Sequence, residues 1–159
     1  VREDFRNYYT VRFFTGMRTA EVDGLQWKYV DFQRRQILIR ETWVGGKLDY
    51  TKNDGSQREI DMSEPVYQAF LGQREKTGSG QFVFSTREGT PHAYRNINDR
   101  VWYPLLRHLG LRRRRPYQTR HTAATLWLAA GENPEWIARQ MGHTTTEMLF
   151  RVYSRYVPT

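Results

Sequence analysis

Phe5, Tyr8, Tyr9, Val11, Arg12, Phe13 and Phe14 recur at roughly helical spacing, and Thr15-Gly16 breaks the pattern. A second helix is predicted from near Thr19, whose hydroxyl suits an N-cap, with Val22 and Leu25 on one face; Trp27, Val30 and Phe32 then lead out through a turn. From Gln36 the pattern shortens to β-type runs: Gln36 to Trp43, a Gly45-Gly46 turn, Lys47 to Lys52, a polar turn at Asn53-Asp54-Gly55-Ser56, and Gln57 to Asp61. These runs predict a three-stranded antiparallel meander. Ser63-Glu64-Pro65 opens a helix with Val66, Ala69 and Phe70 as its buried stripe; Gly78 to Gly80 ends it, and Phe82 to Ser85 reads as a short strand. The second half is helical. Asn96 to Leu109 carries Val101, Trp102, Leu105 and Leu109 at helical spacing, with Gly110 as a natural cap. Pro116 opens a helix rich in Ala123, Ala124, Leu126, Trp127 and Ala130, Asn133-Pro134 starts another that ends near Gly142, and Thr144 to Tyr156 predicts a last one.

A chain of 159 residues is about the size of one domain, and at this length ~70% of the unfolded surface is buried on folding. The absence of cysteine excludes disulfides, thiol chemistry and Cys-based zinc sites. Apolar runs such as Ile37 to Ile39 fall far short of the ~20 residues that cross a bilayer, so a soluble protein is expected. No signal-type segment precedes the first helical pattern, which points to a cytoplasmic location.

The net charge is +8, and the basic residues are 21 Arg against only 4 Lys. A cationic surface favours a polyanionic partner through counterion release, and the planar guanidinium grips phosphate oxygens two at a time. Codon bias would give the same composition, so particular positions must decide.

Three clusters carry the candidate chemistry. Thr15-Gly16-Met17-Arg18-Thr19-Ala20-Glu21 puts Arg18 between a glycine turn and a helix N-terminus, where free amides add to its charge. Tyr117-Gln118-Thr119-Arg120-His121-Thr122 places Arg120 at the start of an apolar helix, one turn from Tyr117. Met141-Gly142-His143-Thr144 is followed ten residues later by Tyr153, flanked by Arg151 and Arg155. In this order the clusters resemble the catalytic domain of the tyrosine recombinases, the phage-integrase family, over nearly the whole chain from Thr15 to Tyr153.

The resemblance implies a role for each residue. Arg18 and Arg120 are the two catalytic arginines, Glu21 supports the site, Lys52 is the lysine of a β-hairpin with Lys47 as runner-up, His143 is the box histidine and Tyr153 the nucleophile. Two departures stand out. The family usually has His three residues before the second Arg, where this chain has Tyr117, a phenol with an ordinary pKa of ~10 and so a poor base at neutral pH. Tyr117 is read as positioning the phosphate. The usual spacing from the box histidine to the nucleophile is one residue shorter and lands on Val152, which has no nucleophilic atom; Tyr153 is the nearest candidate, with Tyr156 one turn further on. His108 and His121 lack partner spacing for a metal and read as packing or surface residues. The run Arg112, Arg113, Arg114 and Arg115, just ahead of the helix carrying Arg120, is assigned to phosphate backbone contact.

The implied fold is α+β and mainly helical, a DNA breaking-rejoining catalytic core with a small three-stranded antiparallel sheet. The implied function is that of a site-specific DNA recombinase of a mobile element. It cuts and rejoins double-stranded DNA at attachment sites through a 3′-phosphotyrosyl intermediate, with neither metal nor nucleotide cofactor. Residues 1–159 are read as the catalytic domain, the N-terminal DNA-clamping domain being absent from this chain, and a homotetramer on DNA is expected of the full-length protein. The rival reading is a non-catalytic DNA-binding module of the same fold, with Tyr117 as the sign of decay. A type IB topoisomerase-like enzyme shares the chemistry, but the Gly142-His143 box favours the recombinase.

Overall fold

A computed structural model describes residues 2–51, 56–143 and 145–153. Helix α1 (Glu3–Thr15) ends where Gly16 turns left-handed at φ +68° and its amide returns to the carbonyl of Arg12. The short α2 (Thr19–Asp23) follows. Its N-cap position is taken by Arg18 and not by Thr19, whose hydroxyl accepts a hydrogen bond from Arg12 at 2.8 Å. The cap itself comes from within the helix, where the Glu21 carboxylate accepts the Arg18 amide at 2.9 Å.

The sheet differs from the predicted meander. Strands β1 (Val30–Asp31), β2 (Gln36–Ile39) and β5 (Arg58–Asp61) form one antiparallel sheet in the order β1-β2-β5, while β3 (Glu41–Val44) and β4 (Lys47–Tyr50) form a separate hairpin. The run read as Gln36 to Trp43 therefore breaks at Arg40, and β2 pairs with β5 in register Ile37↔Ile60. Alternation explains the break. Ile37, Ile39 and Ile60 enter the core, whereas Val44 and Tyr50 are exposed, so the hairpin leaves the core surface. Glu41 anchors its base, accepting from Gln26 Nε2 at 2.8 Å and from the Tyr29 hydroxyl at 2.6 Å.

Helix α3 (Glu64–Thr77) packs against α1, with Val66, Ala69 and Phe70 buried as its pattern predicts. Residues 82–85 form no strand. Phe82, Val83 and Phe84 are buried, but the Val83 carbonyl is satisfied by Gln73 Nε2 and the Thr77 hydroxyl instead of a sheet partner. The predicted helix over 96–109 starts at Tyr94 and is interrupted: α4 (Tyr94–Ile97) passes through a π-helical turn (Asn98–Trp102) into α5 (Tyr103–His108). A π turn advances the buried face, so Trp102 and Leu106 enter the core while Leu109 is exposed.

Helices α6 (Gln118–Ala129), α7 (Pro134–Met141) and α8 (Glu147–Tyr153) build a second, smaller core around Ala124, Leu128, Ile137, Met141 and Leu149. The Asn133 side chain caps α7, accepting the amides of Glu135 and Trp136. The larger core holds Val11, Met17, Val22, Ile37, Ile60, Phe70 and Val83. Where α6 meets α1 and α7 meets β5, the two cores share a seam, and the polar site lies along it. Among the described residues no helix is long and apolar enough to cross a membrane.

Candidate active site

Arg18 enters the site because Gly16 lets the chain turn sharply out of α1. One helical turn on, Glu21 is 2% exposed and grips a guanidinium at both oxygens. That guanidinium belongs to Arg58 on β5, whose Nη1 and Nη2 donate to Glu21 at 2.7 and 2.9 Å, while Arg18 Nη1 approaches the same carboxylate at 3.3 Å. Burial pushes the Glu21 carboxyl up, but the Arg58 hydrogen bonds and charge, joined by Arg18, outweigh it and hold the pKa below its ordinary value. Arg58 also donates from Nε to the Gln140 carbonyl at 2.8 Å, which ties β5 to the end of α7. Sequence reading did not single out Arg58. Its signal, an inward-facing position among the alternating residues of β5, is legible only once the partner strand is known.

Gly142 closes α7 at φ +77°. A Cβ there would stand 2.9 Å from Nη1 of both Arg18 and Arg58, so this glycine is what allows two guanidinium groups to meet the loop. From the first turn of α6, Arg120 reaches the same seam, 2% exposed. Its Nη1 donates to the Gly16 carbonyl at 2.8 Å and its Nη2 to the Met141 carbonyl, one carbonyl beside each of the two glycine turns. Burial, then the charge of Arg18, lowers its pKa to about 10, which still leaves it charged at neutral pH.

His143 sits among these cations. Burial, then Arg120, Arg18 and Arg58, lower its pKa to about 4, so the imidazole is neutral at pH 7. Its Nδ1 is buried and has no hydrogen-bond partner among the described residues. A phosphate placed between the arginines would offset the part of this lowering that comes from the guanidinium charges, leaving the part due to burial. The expected result is an imidazole titration midpoint near 4 in the free protein that moves upward when a DNA duplex is added, read from the His143 ring carbon–proton signals by NMR. A midpoint that stays put on DNA would place His143 away from the phosphate.

Tyr153 is 6% exposed at the end of α8, within the smaller core. Its hydroxyl is hydrogen-bonded to Nδ1 of His121, and the rings lie 5.6 Å apart between centroids. His121, read as a packing or surface residue, is half-buried between the rings of Tyr117 and Tyr153, and its hydrogen bond reaches the candidate nucleophile across 32 positions of sequence. Tyr117 occupies the cap of α6, 45% exposed, with its ring edge-on to His121 at 5.1 Å. Burial, then Arg120, lowers the His121 pKa.

The Arg112 to Arg115 run is exposed and non-helical, leading into α6. Trp102 Nε1 fixes it by donating to the Arg114 carbonyl at 2.8 Å, and the Arg113 guanidinium lies 3.8 Å above the Tyr103 ring. Lys52 and Tyr156 lie outside the described residues, and Lys47 is exposed on β4. A second unforeseen residue is Arg12, buried within α1, which donates to the Thr19 hydroxyl at 2.8 Å and to the Pro116 carbonyl at 3.3 Å. It thereby links the start of α2, which carries Glu21, to the start of α6, which carries Arg120. A cleft of about 370 Å³ opens beside the site, lined by Arg18, Glu21, Thr42, Tyr50, Thr51 and Ser56. Among the described residues no group of three or more His, Asp or Glu is placed to hold a metal ion.

A model of the phage integrase family matches residues 4–157. The chain belongs to the phage integrase family. This integrase-family domain is 28% identical over 179 aligned positions to the defective protein IntQ of Escherichia coli strain K12, covering 96% of this chain and 45% of that protein. It is 27% identical over 177 positions to the prophage integrase IntR of the same strain, covering 96% of this chain and 43% of the relative. Among solved structures, the Tn1549 transposon integrase in complex with circular intermediate DNA superposes with a TM-score of 0.83 at 25% identity, covering all of this chain and 56% of that one. The chain thus spans under half the length of these curated relatives, and its fold is that of a tyrosine-recombinase catalytic domain.

Proposed function

We propose that this domain is the catalytic part of a site-specific DNA recombinase that cuts and rejoins double-stranded DNA through a 3′-phosphotyrosyl intermediate. The observation that carries the reading is the convergence of Arg18, Arg120 and His143 on the two glycine turns, with Tyr153 tied to the residue that follows Arg120. Two guanidinium groups and an imidazole are suited to charge that builds on the nonbridging oxygens of a phosphodiester, and most catalysis of such displacements is electrostatic. Two of the five Arg120 N–H groups hold carbonyls, which fixes the fork while the others are left to meet a phosphate. Tyr153 attacks phosphorus, the bond to the 5′-oxygen breaks, and Lys52 protonates that oxygen. The phosphotyrosyl ester keeps the bond energy for rejoining, so the reaction calls for neither metal nor nucleotide.

Arg112 to Arg115 extend the cationic surface for phosphate backbone contact ahead of α6. In the whole protein this catalytic domain works beside an N-terminal DNA-clamping domain, and four protomers assemble on two duplexes. The curated relatives extend well beyond the region this chain covers, which leaves room for such a domain.

The test is a denaturing gel of the protein with a nicked duplex carrying the attachment-site core of its own element, wild type against Tyr153→Phe. Wild type is expected to give a slow-migrating covalent band, and Tyr153→Phe to give none while DNA affinity changes less than about twofold. DNA binding by the wild type with no covalent product would instead identify a non-catalytic binding module, and loss of the band in Tyr156→Phe but not in Tyr153→Phe would reassign the nucleophile.

A further inference from the structure

We infer that His121 is a catalytic residue that holds the Tyr153 hydroxyl and accepts its proton as the phosphodiester is attacked, a task that Tyr117 does not perform. The inference rests on the reading of Tyr153 as the nucleophile. Arg120 and His121 are consecutive in the first turn of α6, and successive helical side chains point ~100° apart. Arg120 therefore turns into the seam and takes the carbonyls of Gly16 and Met141, while His121 turns toward α8 and meets the Tyr153 hydroxyl at Nδ1. One helical step thus couples the phosphate-gripping fork to the nucleophile. Tyr117 packs its ring edge-on against the imidazole and fixes the ring plane.

Among the described residues, the groups facing His121 are Arg120 on its own helix, Tyr117 at the helix start and Tyr153 on α8. Burial, then the Arg120 charge, places its pKa below the ordinary 6.5; the proposed tautomer is protonated at Nε2, so that Nδ1 accepts from the phenol. In the reaction the Tyr153 proton passes to Nδ1 as its oxygen bonds to phosphorus, and the phosphorus–5′-oxygen bond breaks with a proton supplied to that oxygen by the general acid. Charge gathering on the nonbridging oxygens then faces both Arg120 and the new imidazolium, which offsets the repulsion between them. On rejoining, the imidazolium returns the proton to the departing phenolate, as microscopic reversibility requires.

The test uses the full-length protein and the nicked duplex above, with single-turnover cleavage followed against pH for wild type, His121→Ala and His121→Asn. Wild-type cleavage is expected to fall on the acid side with a midpoint below 6.5. His121→Ala is expected to be slower by about 10²–10⁴-fold, to lack that acid limb, and to regain rate with added imidazole, with unchanged DNA affinity and melting temperature. His121→Asn, whose amide oxygen can accept the phenol hydrogen bond but not a proton, is expected to regain only part of the rate and none of the acid limb. A wild type that forms no covalent band would sink the recombinase reading itself. A wild type that does, with His121→Ala equally fast or faster, would overturn this inference alone and make the contact a mere restraint. Complete recovery in His121→Asn would likewise show that holding, not proton transfer, is the role.

Discussion

Replacement of Arg120 by alanine is expected to slow strand cleavage by roughly 10³–10⁵-fold, the range that an arginine on a transferring phosphoryl group commands. The site makes this residue hard to replace. Its guanidinium is buried, so its charge acts across little water, and two of its N–H groups already hold the carbonyls of Gly16 and Met141. Those two bonds hold the plane of the fork before any DNA arrives, which reduces the reorganisation needed in the transition state. Alanine also leaves two carbonyls without donors, at ~1–3 kcal/mol each, so a lower melting temperature accompanies the slow chemistry. Arg120→Lys separates the two effects. It keeps the charge but loses the planar fork, and a single ammonium cannot span both carbonyls and a phosphate. Single-turnover adduct formation and thermal melting, measured on both variants, check the prediction. An Arg120→Lys protein that cleaves at the wild-type rate would show that charge alone suffices and that the fork geometry is incidental.

Glu21→Ala is expected to be the most destabilising single change in the site. It strands the Arg58 guanidinium, which is 7% exposed, with its carboxylate gone. Breaking such a buried pair from one side costs about 3–5 kcal/mol, which at ~2–4 °C per kcal/mol for a domain of this size lowers the melting temperature by roughly 6–20 °C. The double variant Glu21→Leu, Arg58→Met is expected to be more stable than Glu21→Ala, since no charge is then left buried alone. It should still be slow, because Arg18 loses the carboxylate that orients it at 3.3 Å. The pH dependence has a defined sign. Glu21 has its folded pKa lowered, so its contribution is present above the ordinary value near 4.5 and is lost as the pH falls through the folded value. Thermal melts across acid pH test this, and a Glu21→Ala protein that melts with the wild type would refute the account of the pair.

Much of the architecture was legible from periodicity. The α1, α3, α6 and α7 helices lie where the apolar stripes and caps place them, with Gly16, Asn133 and Gly142 in their expected roles. The sheet was less legible, because the short run from Gln36 to Trp43 has no break residue. What divides it at Arg40 is the depth of the core beneath Ile37 and Ile39, a property of strands that come from elsewhere in the chain. Residues 82–84 show the same limit: their apolar character correctly predicts burial, but side chains from α3 take the hydrogen bond that a neighbouring strand would have supplied.

In the site, neighbouring residues alone mark Arg18 with Glu21, Arg120, His143 and Tyr153, in motifs specific enough to name the family. Those identities depend on local features, a glycine turn before a helix or an arginine in a first turn, and local features are written in neighbouring residues. That Arg58 shares Glu21, that Arg12 ties the start of α2 to the start of α6, and that His121 meets Tyr153 all come from packing. Each of these is a contact between elements far apart in the chain. Burial makes them matter, since a guanidinium, a carboxylate or an imidazole removed from water must find its partner within hydrogen-bond reach. No spacing in the sequence records which partner the packing will bring there.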